Sequence, residues 1–265
     1  MKKQIALMVG AMLCMASVAQ EYLTSAGFGR LSSVLTGGEA LQANPAGVAS
    51  LGRVAVHAGI ERRQVWAGVH LLGVAVGVPT ASGNFAVAVQ SFGVQDFKKQ
   101  EINLLYARKT GEKMHLGGSL DYHRLSISEY GSTGVFSFQI GLQAWLSPHL
   151  LIGTSIANPY PVKLGENEKL PTVFRTGLLY KVSEKVQAGM ELEKDIDFSM
   201  RLRAGIEYLL VHKLKLKTGY SSNPSNFHFG LAFEANGNLW LHIGNIYDPV
   251  LGLTAGISGL YRLPK

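Results

Sequence analysis

The sequence predicts an all-β chain: an antiparallel transmembrane β-barrel of about fourteen strands, twelve being the lower count, with a short N-terminal plug segment. Three observations predict it. From Leu51 onward, apolar side chains hold one parity and polar residues or glycine the other. Phe136, Phe138, Ile140, Leu142, Ala144 and Leu146 alternate with Ser137, Gln139, Gly141 and Gln143, and Met200 to Leu210 repeats the pattern. Successive strand side chains point to opposite faces, so each sheet has one oily and one wet side. The alternating runs reach roughly 10 to 14 residues, the length a tilted strand needs to cross a bilayer. The third observation is an N-terminal export signal.

Lys2 and Lys3 precede an apolar run from Ile5 to Val18, and Ser17-Val18-Ala19 sets small residues three and one before a cut. Residues 1–19 therefore read as a cleaved signal peptide, with the mature chain starting near Gln20. The run is too short for an anchor helix and lacks a stop-transfer flank. Cys14 is the only cysteine and lies inside the signal, so the processed chain has no disulfide framework and no thiol nucleophile. Residues 20–50 alternate poorly and read as a plug or hatch; residues 51–265 read as the barrel.

Strand candidates lie near 52–61, 64–78, 83–93, 100–110, 113–126, 133–146, 149–157, 171–182, 185–194, 197–210, 213–221, 226–235, 238–246 and 251–263. Turn chemistry separates them. Ala81-Ser82-Gly83-Asn84, Lys109-Thr110-Gly111, Tyr130-Gly131-Ser132, Asn223-Pro224-Ser225 and Asn236-Gly237-Asn238 all favour tight reversals, so sequence neighbours should pair antiparallel. The longest irregular stretch, 158–171, holds Pro159, Pro161, Gly165 and the charges Lys163, Glu166, Glu168 and Lys169, and reads as an exposed loop. Phe227, Phe229, Leu231 and Phe233 share one parity; a soluble sheet would need a second layer over so greasy a face, whereas lipid supplies one. Tyr180, Tyr208, Tyr220 and Tyr261 lie on apolar parities near strand ends, as an interfacial girdle requires.

The net charge is +7, falling to +5 without Lys2 and Lys3, but the basic residues are spread among strands and no recognition motif accompanies them. Nucleic-acid binding is excluded on that ground, and anionic lipid headgroups explain a basic rim better. No catalytic function is assigned. The eight histidines show no metal spacing, no Ser-His-Asp arrangement is defined, and no glycine cluster has the Lys-Ser or Lys-Thr of a phosphate loop. Neither a cofactor nor a metal is expected.

The plug segment contains Gly37-Gly38-Glu39-Ala40-Leu41-Gln42-Ala43 followed by Asn44-Pro45-Ala46-Gly47, and the chain closes with Tyr247-Asp248-Pro249-Val250-Leu251-Gly252-Leu253 before Ile257, Gly259, Tyr261 and Leu263. A glycine-rich approach and Asn-Pro-Ala-Gly before the first strand resemble the FadL superfamily of outer-membrane barrels, and the last hairpin resembles its PorV-like branch, associated with type IX secretion. The resemblance implies a bacterial outer-membrane location and a hatch at Asn44, Pro45, Ala46 and Gly47. The chain departs from many such barrels in ending Tyr261-Arg262-Leu263-Pro264-Lys265 instead of on an aromatic. Pro45 cannot donate a ladder bond and biases Asn44 away from helix, which suits a tucked coil.

Glu191, Arg201, Arg203, Glu207, Lys213, Lys215 and Lys217 share the inward parity, and a three-residue reversal at Asp195-Ile196-Asp197 would set Glu191 opposite Arg201. Asp121, His123 and Arg175 extend the inward charge. Such a bore suits water, ions or a polar plug and opposes a fatty chain. The expected role is a noncatalytic, PorV-like accessory subunit in envelope protein export, with outer-membrane lipid around it and a secretion-machinery partner. The alternative is a FadL-like passive transporter of a hydrophobic ligand such as a long-chain fatty acid.

Overall fold

The computed structural model describes residues 23–63, 68–164 and 169–264. The signal-peptide reading over 1–19, the start near Gln20, and Gly165, Glu166 and Glu168 of the long loop lie outside the described residues.

Fourteen antiparallel strands form one closed sheet: β1 (Ala55–Arg63), β2 (His70–Thr80), β3 (Gly83–Val94), β4 (Phe97–Thr110), β5 (Met114–Ile127), β6 (Gly131–Ser147), β7 (Leu150–Ala157), β8 (Val173–Lys181), β9 (Val186–Asp195), β10 (Arg201–Val211), β11 (Leu214–Ser221), β12 (Asn226–Glu234), β13 (Leu239–Asp248) and β14 (Gly252–Arg262). Each pairs with its sequence neighbour, and β1 also pairs with β14, from Ala55 opposite Arg262 to Arg63 opposite Thr254. Closure leaves no edge, so every strand has a hydrogen-bonding partner on both sides, the condition for lying in hydrocarbon.

The alternation sorts as the sequence requires. Phe227, Phe229, Leu231 and Phe233 point outward, as do Phe136, Phe138 and Ile140, while Ser137, Gln139 and Gln143 are buried inside. One strand is displaced from its expected position. The second was expected at 64–78 but runs His70–Thr80, because its buried parity is set by Leu71, Gly73, Ala75 and Gly77, with Leu72 to Val78 facing out. Residues 64–67 are outside the described set. The turn after β2 is correspondingly tighter than expected, with Gly83 and Asn84 already inside β3.

The wall is uneven in height. β3 to β6 run 12, 14, 14 and 17 residues, whereas β7 and β11 have eight. Where the tall strands rise, the connection between β7 and β8 is exposed at Tyr160, Pro161, Lys163 and Lys169, as expected, but turns one side chain inward. Leu164 is buried against Phe97 and Leu125, with Leu170, Val94, Ile127 and Val135 around them. An otherwise exposed loop thus contributes Leu164 to an apolar mouth.

Residues 23–51 fill the barrel as a coil with three short 3-10 turns at Leu23–Ser25, Gly37–Ala40 and Pro45–Ser50. Most of this segment is buried, including Leu31, Leu41, Ala46 and Val48. Its fit depends on glycine. Inward-facing Gly73, Gly77, Gly117, Gly141, Gly153, Gly177, Gly189, Gly205, Gly219, Gly230 and Gly244 form a belt from β2 round to β13, interrupted at β3 and β4; a side-chain carbon added at any of them would come within 3.0 Å of a plug atom. At Gly117 it would lie 2.5 Å from the Pro45 carbonyl carbon, and at Gly230 2.9 Å from Gly27 Cα. Plug backbone lies directly on the wall at Gly117, Gly153, Gly219 and Gly230, and at the other belt positions the glycine admits a plug side chain. On β3 and β4, which lack such a glycine, Ala86, Ala88 and Ala107 take over, packed with Leu41, Val48 and Leu51.

Two outcomes are expected. Gly153→Val should push the plug off its wall, since its Cβ would run into the Ser33 carbonyl, whereas Gly118→Ala, whose Cβ would meet only the Gln139 carbonyl at 3.5 Å, should behave as wild type; protease cleavage within residues 23–50 reads the difference. Phe229→Arg, on the lipid face where Phe229 is 53% exposed, should lower stability by about 2–4 kcal/mol on refolding into bilayers.

Candidate functional site

The plug is held by two chemically opposite walls. On the side of β8 to β10 the hold is ionic. Glu191 of β9 accepts hydrogen bonds from the Ser32 amide at 2.8 Å, the Ser33 amide at 2.6 Å and the Ser33 hydroxyl at 2.7 Å. One wall carboxylate thereby satisfies two backbone donors of a coil that has no ladder of its own, with bonds strengthened by the charge. Arg203 of β10 completes the grip: its Nη1 donates to the Arg30 carbonyl at 2.7 Å and lies 3.7 Å from Glu191.

Behind this pair sits Glu193, which gathers three guanidiniums. Arg175 Nε donates at 2.7 Å, Arg201 Nη1 at 3.0 Å and Arg203 Nη2 at 3.0 Å. All four side chains are largely withdrawn from solvent, so the carboxylate and its partners offset one another's desolvation only while the set is complete. Farther round, Glu207 takes Lys215 at 2.9 Å and Lys217 at 3.2 Å, and on β1 Glu61 accepts from plug residue Arg30 at 2.6 Å.

Neutral polar groups secure the remaining backbone. Gln143 donates to the Ser33 and Leu35 carbonyls, both at 2.8 Å, and Asn84 donates to the Val48 carbonyl at 2.8 Å. His228 Nδ1 lies 2.8 Å from the Ala26 carbonyl, which fixes Nδ1 as the donor, and its Nε2 is 3.1 Å from the Ser221 hydroxyl. On the side of β2 to β4, by contrast, the plug meets mainly the alanine and leucine surface already described. Between plug and mouth lies a polar collar on β4 to β6: Asn103 donates to Glu101 and to Asp121, each at 2.7 Å, and His123 Nδ1 stands 3.7 Å from Glu101.

The motif read from the sequence lies at the centre of the plug. Asn44 caps the turn that begins at Pro45, its Oδ1 accepting from the Ala46 amide at 3.0 Å. Its Nδ2 reaches the Ser33 carbonyl at 2.8 Å and the Thr154 carbonyl of β7 at 3.1 Å, tying one plug strand to another and both to the wall. Ala46 and Gly47 are buried, and Gly47 admits the Leu35 carbonyl.

Of the seven charged residues expected to share the lumen, Glu191, Arg201, Arg203, Glu207, Lys215 and Lys217 do so. Lys213 does not: it is exposed in the turn between β10 and β11, one residue before the strand begins. The expected facing pair is also shifted. Arg201 stands opposite Glu193, and Glu191 opposite Arg203, because the reversal between β9 and β10 is centred on Asp197 and not on Ile196. Glu193 was missed for the same reason; the two-residue spacing from Glu191 was the available signal. The expectation of a uniformly polar bore is corrected too, since β2 to β4 line it with alanine and leucine.

No protein-family model matches the sequence, and no curated protein does. The fold has solved counterparts. It is similar to the toluene transporter TbuX of Ralstonia pickettii, at a TM-score of 0.72 and 10% identity over 91% of this chain and 98% of that one. The toluene transporter TodX of P. putida gives 0.72 at 11% identity, covering 93% of this chain and 100% of that one. A Pseudomonas aeruginosa FadL homologue gives 0.67 at 10%, covering 92% and 99%. At such identity the likeness concerns the fold.

Glu191→Ala should weaken docking of the plug by about 1–3 kcal/mol per amide, because it strands the Ser32 and Ser33 amides in the interior while Arg203 keeps Glu193; a urea titration of proteolysis within residues 23–50 measures it. Acid should loosen the plug at Glu39. Burial pushes that carboxyl up, but Lys217, Lys215 and Arg262 outweigh it and hold it below the usual carboxylate range. The resulting stability is fully present above the ordinary carboxylate pKa and is lost as pH falls through the lowered folded value. Glu39→Gln should flatten that acid limb in the same titration.

Proposed function

We propose that this barrel is a passive channel for small hydrophobic molecules in the bacterial outer membrane, reached through the signal peptide read over residues 1–19, with the luminal segment as its hatch. The observation that carries this reading is the division of the interior. The charges that a fatty or aromatic solute would find hostile are engaged with one another and with the plug backbone, while Phe97, Leu125, Leu164 and Leu170 offer an apolar reception at the mouth. The earlier objection to a hydrophobic passenger was a free charged lumen, and these ion pairs answer it.

Of the two roles the sequence left open, the fold likeness to toluene transporters favours passage of a hydrophobic ligand over partnership in protein export. In this reading a solute partitions into the mouth, and hatch movement lets it pass the polar collar. The alanine wall of β2 to β4 is the side where the hatch parts with least electrostatic loss, because it is held there mainly by nonpolar contact.

Uptake of radiolabelled toluene and of a long-chain fatty acid by cells expressing the protein tests the reading. Uptake of at least one should exceed that of cells lacking it, should fall with Leu164→Asp at the mouth, and should rise with Glu191→Ala. Equal uptake of both solutes with and without the protein, together with crosslinked recovery of an export component from native membranes, would return the role to secretion.

A further inference from the structure

Among the described residues, a group of buried polar atoms where the plug faces β13, β14 and β1 lacks hydrogen-bond partners: Gln42 Nε2, His57 Nε2, Ser258 Oγ and both ring nitrogens of His242. These residues belong to one neighbourhood. Ser258 pairs in register with His242 on one side and Gly59 on the other, and Gly59 pairs with Gly73. A side-chain carbon at Gly73 would lie 2.6 Å from Gln42 Nε2, and Gln42 Oε1 is 3.1 Å from His57 Nδ1. The set is thus continuous across three strands and the plug segment that covers them.

The chemistry of the orphaned atoms selects the occupant. His57 Nδ1 donates to the Gln42 amide oxygen, which leaves His57 Nε2 in the neutral ring as a bare acceptor. Gln42 Nε2 can only donate, Ser258 Oγ can do both, and a neutral His242 supplies one donor and one acceptor. An anion would want donors alone and a cation acceptors alone. The nearby Lys215 and Lys217 face two carboxylates, Glu207 and Glu39, so no spare charge among these four calls for a counterion. A mixed set of donors and acceptors is met by a molecule that is both.

We propose that the seam between Gln42 of the plug and the His57–Ser258–His242 wall is an internal hydration site, holding a small cluster of water molecules that bridges the hatch to β1, β13 and β14. The ligand class is water or an uncharged hydrogen-bonding solute of similar size. Buried polar groups left bare in a dry interior would each cost the protein their desolvation, and bridging water removes that cost. This site is separate from the apolar mouth and does not depend on what the barrel transports.

The test is X-ray hydroxyl-radical footprinting of the full-length protein in detergent, carried out in 18O-labelled water. His228 is the internal control: it is as buried as His57, but both of its nitrogens have protein partners. Hydration predicts that His57 and His242 take up labelled oxygen roughly tenfold faster than His228, because activated water sits against them. Equal, background labelling of all three overturns the proposal. A second measurement separates wet from dry without labelling. With His242→Leu and Ser258→Ala combined, the thermal midpoint should hold or fall if the seam is bridged by water; a clear rise would mean that dry, unpaired groups had been removed, and would also overturn it.

Discussion

A peptide backbone approaches a β-wall closely only where that wall carries no side chains, and this condition governs the whole interior. The glycine belt running from β2 to β13 lets a coil lie directly on the sheet, close enough for wall carboxylates and amides to reach its N–H and C=O groups. Without that proximity, Glu191 could not serve two consecutive amides, and the coil would carry unsatisfied polar groups in a space it largely fills. The belt also explains why the plug has so little regular structure. Its backbone groups are satisfied by the wall, so it has little need of a helix.

The second organising feature is asymmetry. One side of the bore holds the plug by charge and the other by nonpolar contact, and the two behave differently under perturbation. Ionic partners with buried charges are all-or-none: removing Glu193 would take from Arg175, Arg201 and Arg203 the carboxylate they share. Alanine and leucine contacts weaken gradually with separation. A segment held this way resists release on the charged side and yields on the other, which suits a part that has to move without leaving. The polar collar above it, built around Glu101, Asn103 and Asp121, separates this machinery from the apolar mouth.

Much of this architecture was legible in the sequence because period-two alternation is a local signal: each strand reports its two faces within ten residues, and turn residues mark where it stops. Strand count came through on that basis, whereas the Asn44 motif was picked out by resemblance, in a segment where alternation is poor. What depends on distant pairing did not. Which acid faces which arginine is set by where the β9–β10 reversal is centred, and an error of one residue there exchanged Glu193 for Glu191. Lys213 has the right parity but falls in a turn, where parity has no meaning. Alanines at 75, 86, 88 and 107 read simply as wet-side residues, since a small side chain does not announce that a leucine from another segment will rest on it. The inward glycines were visible individually, but their alignment into a belt requires the register of the closed sheet.

The unequal strand lengths carry a consequence for the surroundings. β7 and β11 have only eight residues, and the extra length of β4 to β6 carries Lys98, Gln100, Arg124, Ser126 and Ser132 on its outer parity, not more apolar residues. The sheet therefore rises past its greasy band on that flank alone, where a polar outer surface is at home among headgroups or water. The barrel presents a one-sided parapet to whatever approaches that end.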